Sequence, residues 1–317
     1  QICGKLLSDS QEEREVKAVK SNPVYKREVT VRARSFRMPL IILVFNGILA
    51  VVALLNMYSA VAQVRISASV QYSSFLQLYA FVATLEFLLL MFIMPALTSG
   101  SISGERERQT LELLFTTRMT PKDIVMGKLF SALSQLMVLI VSSFPILLLT
   151  FVYGSMDLMD LAFLMVCFLV TAVFCGGIGI FSSSLMRRST FSNVCTYGIL
   201  LLVVVGTYML NIFLLNMSQM QIAEEIYQLG ETRPAASSGS AVYLLLLNPL
   251  ATFGEIMEKQ VTGGIAELSI HRFLGNGPDN FVIRHWVPVS ILVQTVLSAG
   301  LVRGAVYFLN PLKNEKK

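Results

Sequence analysis

Few residues in this chain are of a type and spacing that could do chemistry. Glu86 is a lone carboxylate in a mostly apolar run. At membrane depth such a group costs on the order of 3 kcal/mol, so it must face protein or water. There it could contact a substrate or a proton, or pair with a polar group such as Asn46 or Asn56. The cysteines (Cys3, Cys167, Cys175 and Cys195) have no C-x-x-C spacing, and His271 and His285 lack metal-ligand spacing, so neither a disulfide framework nor a zinc site is expected. Gly4-Lys5 and Gly127-Lys128 lack the upstream glycine and the following Ser/Thr of a phosphate-binding loop. No Ser/His/Asp or metal constellation points to a membrane enzyme.

The densest pattern is the stretch Ser99–Lys128, which carries Glu105-Arg106-Glu107-Arg108 and then Thr110-Leu111-Glu112. Leu111, Leu114 and Phe115 fall at i, i+3 and i+4, the spacing of one apolar helix stripe, and Arg108 can pair with Glu112 on its flank. Thr120-Pro121-Lys122-Asp123 then restarts a helix: Thr120 can cap it, Pro121 takes its first position and Asp123 reaches back. Such a unit is suited to docking into a groove on a soluble partner, and the competing reading is a helical hairpin lying on lipid.

The elements that must hold this stretch follow from composition. Hydrophobic residues make up 54% of the 317 positions and charged ones 14%, against about 25% charged in ordinary soluble domains, which excludes a typical water-soluble enzyme. No charge falls between Arg37 and Arg65, between Lys128 and Asp157, or within 161–186 and 189–223. Each run exceeds the roughly 20 residues a helix needs to cross a bilayer core. The chain is therefore predicted to be an all-α polytopic membrane protein with about six spans, near 39–62, 73–98, 129–153, 159–185, 190–216 and 287–309. It divides into a segment 1–38, a transmembrane domain 39–309 and a tail 310–317, with 99–128 as one loop and 217–286 as the long outer segment. The first 37 residues are rich in charge and do not read as a cleavable signal peptide.

Of the 25 Lys/Arg residues, 19 fall in 1–39, in 99–128, in the 186–189 turn and in the tail, which puts both termini in the cytoplasm. The net charge of +5 thus sits beside spans and points to membrane lipid rather than nucleic acid. Arg303, near the inner end of the last span, is expected to snorkel to the cytoplasmic interface. Ala241–Lys259, interrupted by Asn248-Pro249, is expected to be re-entrant or interfacial rather than a seventh span. After Asn22-Pro23 a basic amphipathic helix with Tyr25, Val29 and Phe36 on one face is expected at the cytoplasmic surface.

Gly104 to Leu114, with Thr117, Pro121, Asp123, Ile124, Gly127 and Lys128, resembles the loop between the second and third spans of ABC-2 type ATP-binding cassette permeases, the type V exporter arrangement. Asn22-Pro23-Val24 with Arg27-Glu28 resembles the start of one branch of that family. Gln109 stands where the family usually has Gly, and Arg118 where it often has Pro. The resemblance implies a permease subunit of an exporter without its own ATPase site, in the bacterial cytoplasmic membrane. It further implies that separate nucleotide-binding subunits bind ATP and Mg, and that a second permease copy or paralogue completes the assembly. On the same ground Glu105, Arg108, Thr110, Leu111, Glu112, Leu114 and Phe115 become the residues that couple to the ATPase. An ion- or proton-coupled carrier using Glu86 is the alternative, and it leaves the Glu-Arg-Glu-Arg loop unexplained.

The charge asymmetry makes a topology prediction. Single cysteines replacing Gln109 and Ser238 in a cysteine-free background should react with an impermeant thiol reagent from opposite sides of the membrane. Labelling of both from outside would end the six-span arrangement.

Overall fold

Charge-free runs have nowhere to satisfy their backbone in hydrocarbon except within themselves, and they fold here as long helices. In this computed structural model the described residues are 23–33, 37–67, 72–111, 116, 119–154, 158–229, 236–262, 270–274 and 280–309. They open with α1 (Pro23–Ala33), α2 (Arg37–Ser67), α3 (Tyr72–Thr98), the five-residue α4 (Ser103–Glu107), α5 (Pro121–Gly154) and α6 (Leu158–Leu185). α7 (Ser189–Leu201) runs through a π-helical turn (Leu202–Gly206) into α8 (Thr207–Leu229). A 3₁₀ helix (Gly239–Leu247), α9 (Pro249–Thr262), the short α10 (His271–Leu274) and α11 (Phe281–Arg284) precede α12 (Trp286–Leu309). Among the described residues there is no strand. Among the described residues, six helical segments are long and apolar enough to cross a membrane: α2, α3, α5, α6, the continuous α7–α8, and α12.

Two helices outrun the spans expected from hydropathy. α5 begins at Pro121 rather than 129, and its 34 residues reach about 51 Å, well beyond the roughly 30 Å hydrocarbon core. The start is set by the capping box: Thr120 N and Oγ1 donate to Asp123 Oδ2 at 3.2 and 2.6 Å, and Asp123 N donates back to Thr120 Oγ1 at 3.2 Å. α8 continues to Leu229 instead of ending near 216. Hydropathy marks where apolar surface ends, whereas Ser218 to Gln228 contain neither Gly nor Pro to stop a helix.

The core is centred on α6, which packs against α12, α3, α5 and α7. Phe168 of α6 lies 6.3 Å from both Phe87 of α3 and Phe253 of α9, and those two rings stack at 4.2 Å. Gly179 lets the end of α3 approach closely: a Cβ there would meet Thr98 Oγ1 at 2.0 Å and the Ser99 amide nitrogen at 3.2 Å. Thr98 cannot easily retreat, because its hydroxyl donates to Met94 O at 2.8 Å.

The segment between α8 and α12 is bent by 95° between the 3₁₀ helix and α9. Asn248 sits in the bend and is fully buried, with its amide group fixed on three sides. Its Nδ2 donates to Val204 O at 2.9 Å and Thr207 Oγ1 at 2.8 Å, and its Oδ1 accepts from Leu250 N at 2.9 Å. Val204 lies in the π-helical turn, so the irregular turn and the bend engage each other. From α12, Gln294 Nε2 donates to Leu246 O at 3.3 Å and Thr252 Oγ1 at 2.9 Å. A broken helix at this depth is possible because neighbouring spans supply such partners.

α1 forms from Pro23 as expected, but it is seated on α5. Val24 is buried and Tyr25 Oη lies 2.9 Å from Ser134 Oγ. Val29 is only half-buried, and Phe36 lies outside the described residues.

Candidate functional site

The stretch after α3 is fastened on every side by groups from distant parts of the chain. A five-residue helix leaves most of its first amides without internal partners. For α4 these are met from α6, whose Ser183 Oγ accepts from Ile102 N and Ser103 N, each at 2.9 Å. Ser192 Oγ of α7 donates to Ser99 O at 2.5 Å, and Ser99 Oγ donates to Asn193 Oδ1. At the other end of α4, Arg106 Nη1 donates to Met186 O at 3.2 Å. Glu107 Oε2 accepts from Ser189 Oγ at 2.7 Å and Ser189 N at 3.3 Å. The Ser189 hydroxyl and then its amide hold the exposed Glu107 carboxyl below the usual carboxylate range, so this contact is present at neutral pH and is lost as acid protonates the group.

The charged centre of the site is Lys128 on α5. Its Nζ lies 2.9 Å from Glu28 Oε1 on α1 and 2.7 Å from Glu105 Oε1 on α4. The lysine side chain is 3% exposed, and the two carboxylates retain 19% and 24%. One buried cation thus joins three helices separated by as many as 100 residues. Removing one partner of a buried pair leaves an uncompensated charge, at a cost of about 3 kcal/mol or more.

The structure brings together only some of the residues that the sequence nominates. Glu105 belongs to the Lys128 cluster, where it pairs within the chain. Leu111 is turned inward: it is 7% exposed and joins the main core. Thr110 Oγ1 donates to Glu105 O at 3.2 Å, closing the end of α4. Arg108 is exposed at the C-terminus of that helix. Glu112, Leu114 and Phe115 lie outside the described residues. Glu86 is 2% exposed on α3, and its partner is not Asn46 or Asn56. Ser143 of α5 donates to its carboxylate instead, while Asn46 Nδ2 donates to Ser142 Oγ at 2.9 Å. Glu86 Oε2 has no hydrogen-bond partner among the described residues.

Glu28 and Ser183 escape sequence reasoning. The available signal for the first was Lys128 itself, an isolated cation at the start of a long apolar run, which demands a counter-charge from somewhere. Ser183 belongs to a Ser182-Ser183-Ser184 run that closes α6, and nothing in its spacing points at α4.

Gln109 takes a left-handed conformation at φ 58°, where a side chain is disfavoured by roughly 1–2 kcal/mol and glycine is not. The turn after α4 keeps that shape without its glycine. The ion pairs and hydrogen bonds of this arrangement join α4 to α1, α5, α6 and α7. A family model described as "ABC-2 family transporter protein" matches residues 22–309. No curated protein matches the chain.

The strained turn can be tested by thermal unfolding in detergent. Gln109→Gly should hold or raise stability, by up to about 1 kcal/mol. Gln109→Val should lower it by about 1–2 kcal/mol, since a β-branched side chain is excluded at positive φ. Equal midpoints for the two variants would contradict the turn geometry.

Proposed function

We propose, because the chain belongs to the ABC-2 family of transporter proteins and is a multi-pass membrane permease, that it couples ATP hydrolysis by a separate nucleotide-binding subunit to export of a substrate. The observation that supports this reading is the fastening of the 99–111 stretch. Ser183, Ser192, Ser189, Met186 and Lys128 hold it from four other helices or turns, so a push on it is not absorbed locally.

In this account Leu114 and Phe115 fill a groove on the ATPase subunit, with Glu112 and Arg108 at the rim. Glu105, Thr110 and Leu111 hold the coupling segment to the body of the permease. ATP and Mg bind the partner, whose closure draws the coupling segments of two permease chains together. The displacement passes through Lys128 to α1 and α5, and through Ser183 to α6. Both termini are cytoplasmic, the membrane is the bacterial plasma membrane, and the assembly contains a second permease copy or a paralogue. This chain supplies no catalytic residue.

A second reading, a proton-coupled carrier, draws on Glu86, buried with one carboxylate oxygen unmatched. It gives no role to the fastened loop, and Ser143 already engages the other oxygen.

The test is capture of the nucleotide-binding subunit by the full-length permease, together with ATP hydrolysis by the complex. Burial of Leu114 contributes about 1.5–3 kcal/mol by area, so Leu114→Asp should weaken capture roughly tenfold to a hundredfold and abolish permease-dependent ATP turnover. Ser240→Asp, exposed on the 3₁₀ helix, should change neither. Undiminished capture and turnover in Leu114→Asp would return the loop to a lipid-facing hairpin.

A further inference from the structure

A groove of about 660 Å³ is lined by residues of α5, α6 and α12 and by none of the 99–111 stretch. Its floor and walls are apolar, including Leu129, Leu133, Val173, Val302 and Val306, and it carries two cations, Lys122 and Arg303. The helices that border it are antiparallel. Lys122 on α5 and Arg303 on α12 therefore belong to the same end, while Leu133 and Thr295 belong to the other. From Thr295 to Val306 the groove follows α12 for about 16 Å at 1.5 Å per residue. That is about half of a 30 Å hydrocarbon core, the depth of one leaflet.

Both cations are exposed, and among the described residues neither forms an ion pair with a carboxylate. Asp123, the acidic neighbour of Lys122, is turned to the Thr120 cap. An apolar trough one leaflet deep, with two uncompensated cations at its membrane-surface end, matches an acyl chain carrying an anionic headgroup. A zwitterionic lipid would fit the trough but not the charges, and a soluble anion would fit the charges but not the trough.

We propose that this groove binds one anionic glycerophospholipid, its phosphate between Lys122 and Arg303 and one acyl chain against Leu129, Val173 and Val302. The assignment to the cytoplasmic leaflet rests on the orientation given above; the site itself does not. A lipid held here bridges α5 and α12 across α6, and its binding varies with the anionic content of the membrane rather than with ATP.

The test reads occupancy at the groove itself. In the full-length chain with Trp286→Phe, Val302→Trp places a single fluorescent reporter in the groove, and Leu210→Trp places one on the exposed face of α8. Each is reconstituted into vesicles containing dibrominated phosphatidylglycerol or dibrominated phosphatidylcholine, and quenching gives relative association. The groove reporter should favour the anionic lipid by about 25-fold, roughly fivefold for each cation, and the α8 reporter should show no preference. Removing each charge, as Lys122→Gln and Arg303→Gln, should reduce the preference roughly fivefold, and the double variant should abolish it. Val306→Trp repeats the measurement one turn nearer the end of the groove that holds Lys122 and stands in if Val302→Trp fails to reconstitute. Equal preference at groove and α8 reporters, or a preference that survives loss of both charges, overturns the proposal. Neither result bears on ATPase coupling, which is measured separately.

Discussion

A lysine ammonium that is 3% exposed near the N-terminal end of a long apolar helix is tolerable only if the chain brings negative charge to it. Lys128 receives two carboxylates, one from α1 and one from α4. Each arrives from a segment with little reason of its own to stay in place: α1 is an 11-residue helix and α4 a five-residue one, both too short to be stable alone. The buried charge therefore helps set where these two helices dock against α5.

Around that centre the fastening is mostly by hydroxyl groups. Ser183, Ser189 and Ser192 come from the end of α6 and the start of α7, and they reach α4 and the residues just before it because Gly179 lets Thr98 come close to α6. Serine suits this role. It is small enough for helices to approach, and it supplies both donor and acceptor at a site where backbone groups would otherwise be orphaned. A second polar knot, built on Asn248 and Gln294, ties the bent segment to α8 and α12. The first knot reaches α6 and α7 and the second reaches α8 and α12, so both are anchored on the continuous α7–α8 helix.

Much of this was legible in the sequence, and what was not has a physical explanation. Six spans could be placed because a bilayer imposes a length and a composition on each helix. The α5 start was legible because Thr120 and Asp123 act within four residues of each other, and the membership in a transporter family was carried by contiguous motif residues. The partners of buried polar groups were not legible. Glu86 needed a donor, and only three-dimensional packing selects Ser143 over Asn46. Glu28 and Lys128 are 100 residues apart, with no periodicity to join them. Leu111 reads as part of an exposed stripe because spacing gives a face but not its direction, and here that residue points into the bundle.

The central claim is that Lys128 holds α1 and α4 as one unit with α5. Amide hydrogen exchange of the full-length protein in detergent measures this most directly, comparing wild type with Lys128→Met and with Lys128→Met combined with Glu28→Gln and Glu105→Gln. Residues 24–33 and 102–107 should lose protection together in Lys128→Met, by roughly a hundredfold for a loss of about 3 kcal/mol. Part of that protection should return once the stranded carboxylates are neutralised. Loss of protection in one segment with the other unchanged would contradict the claim.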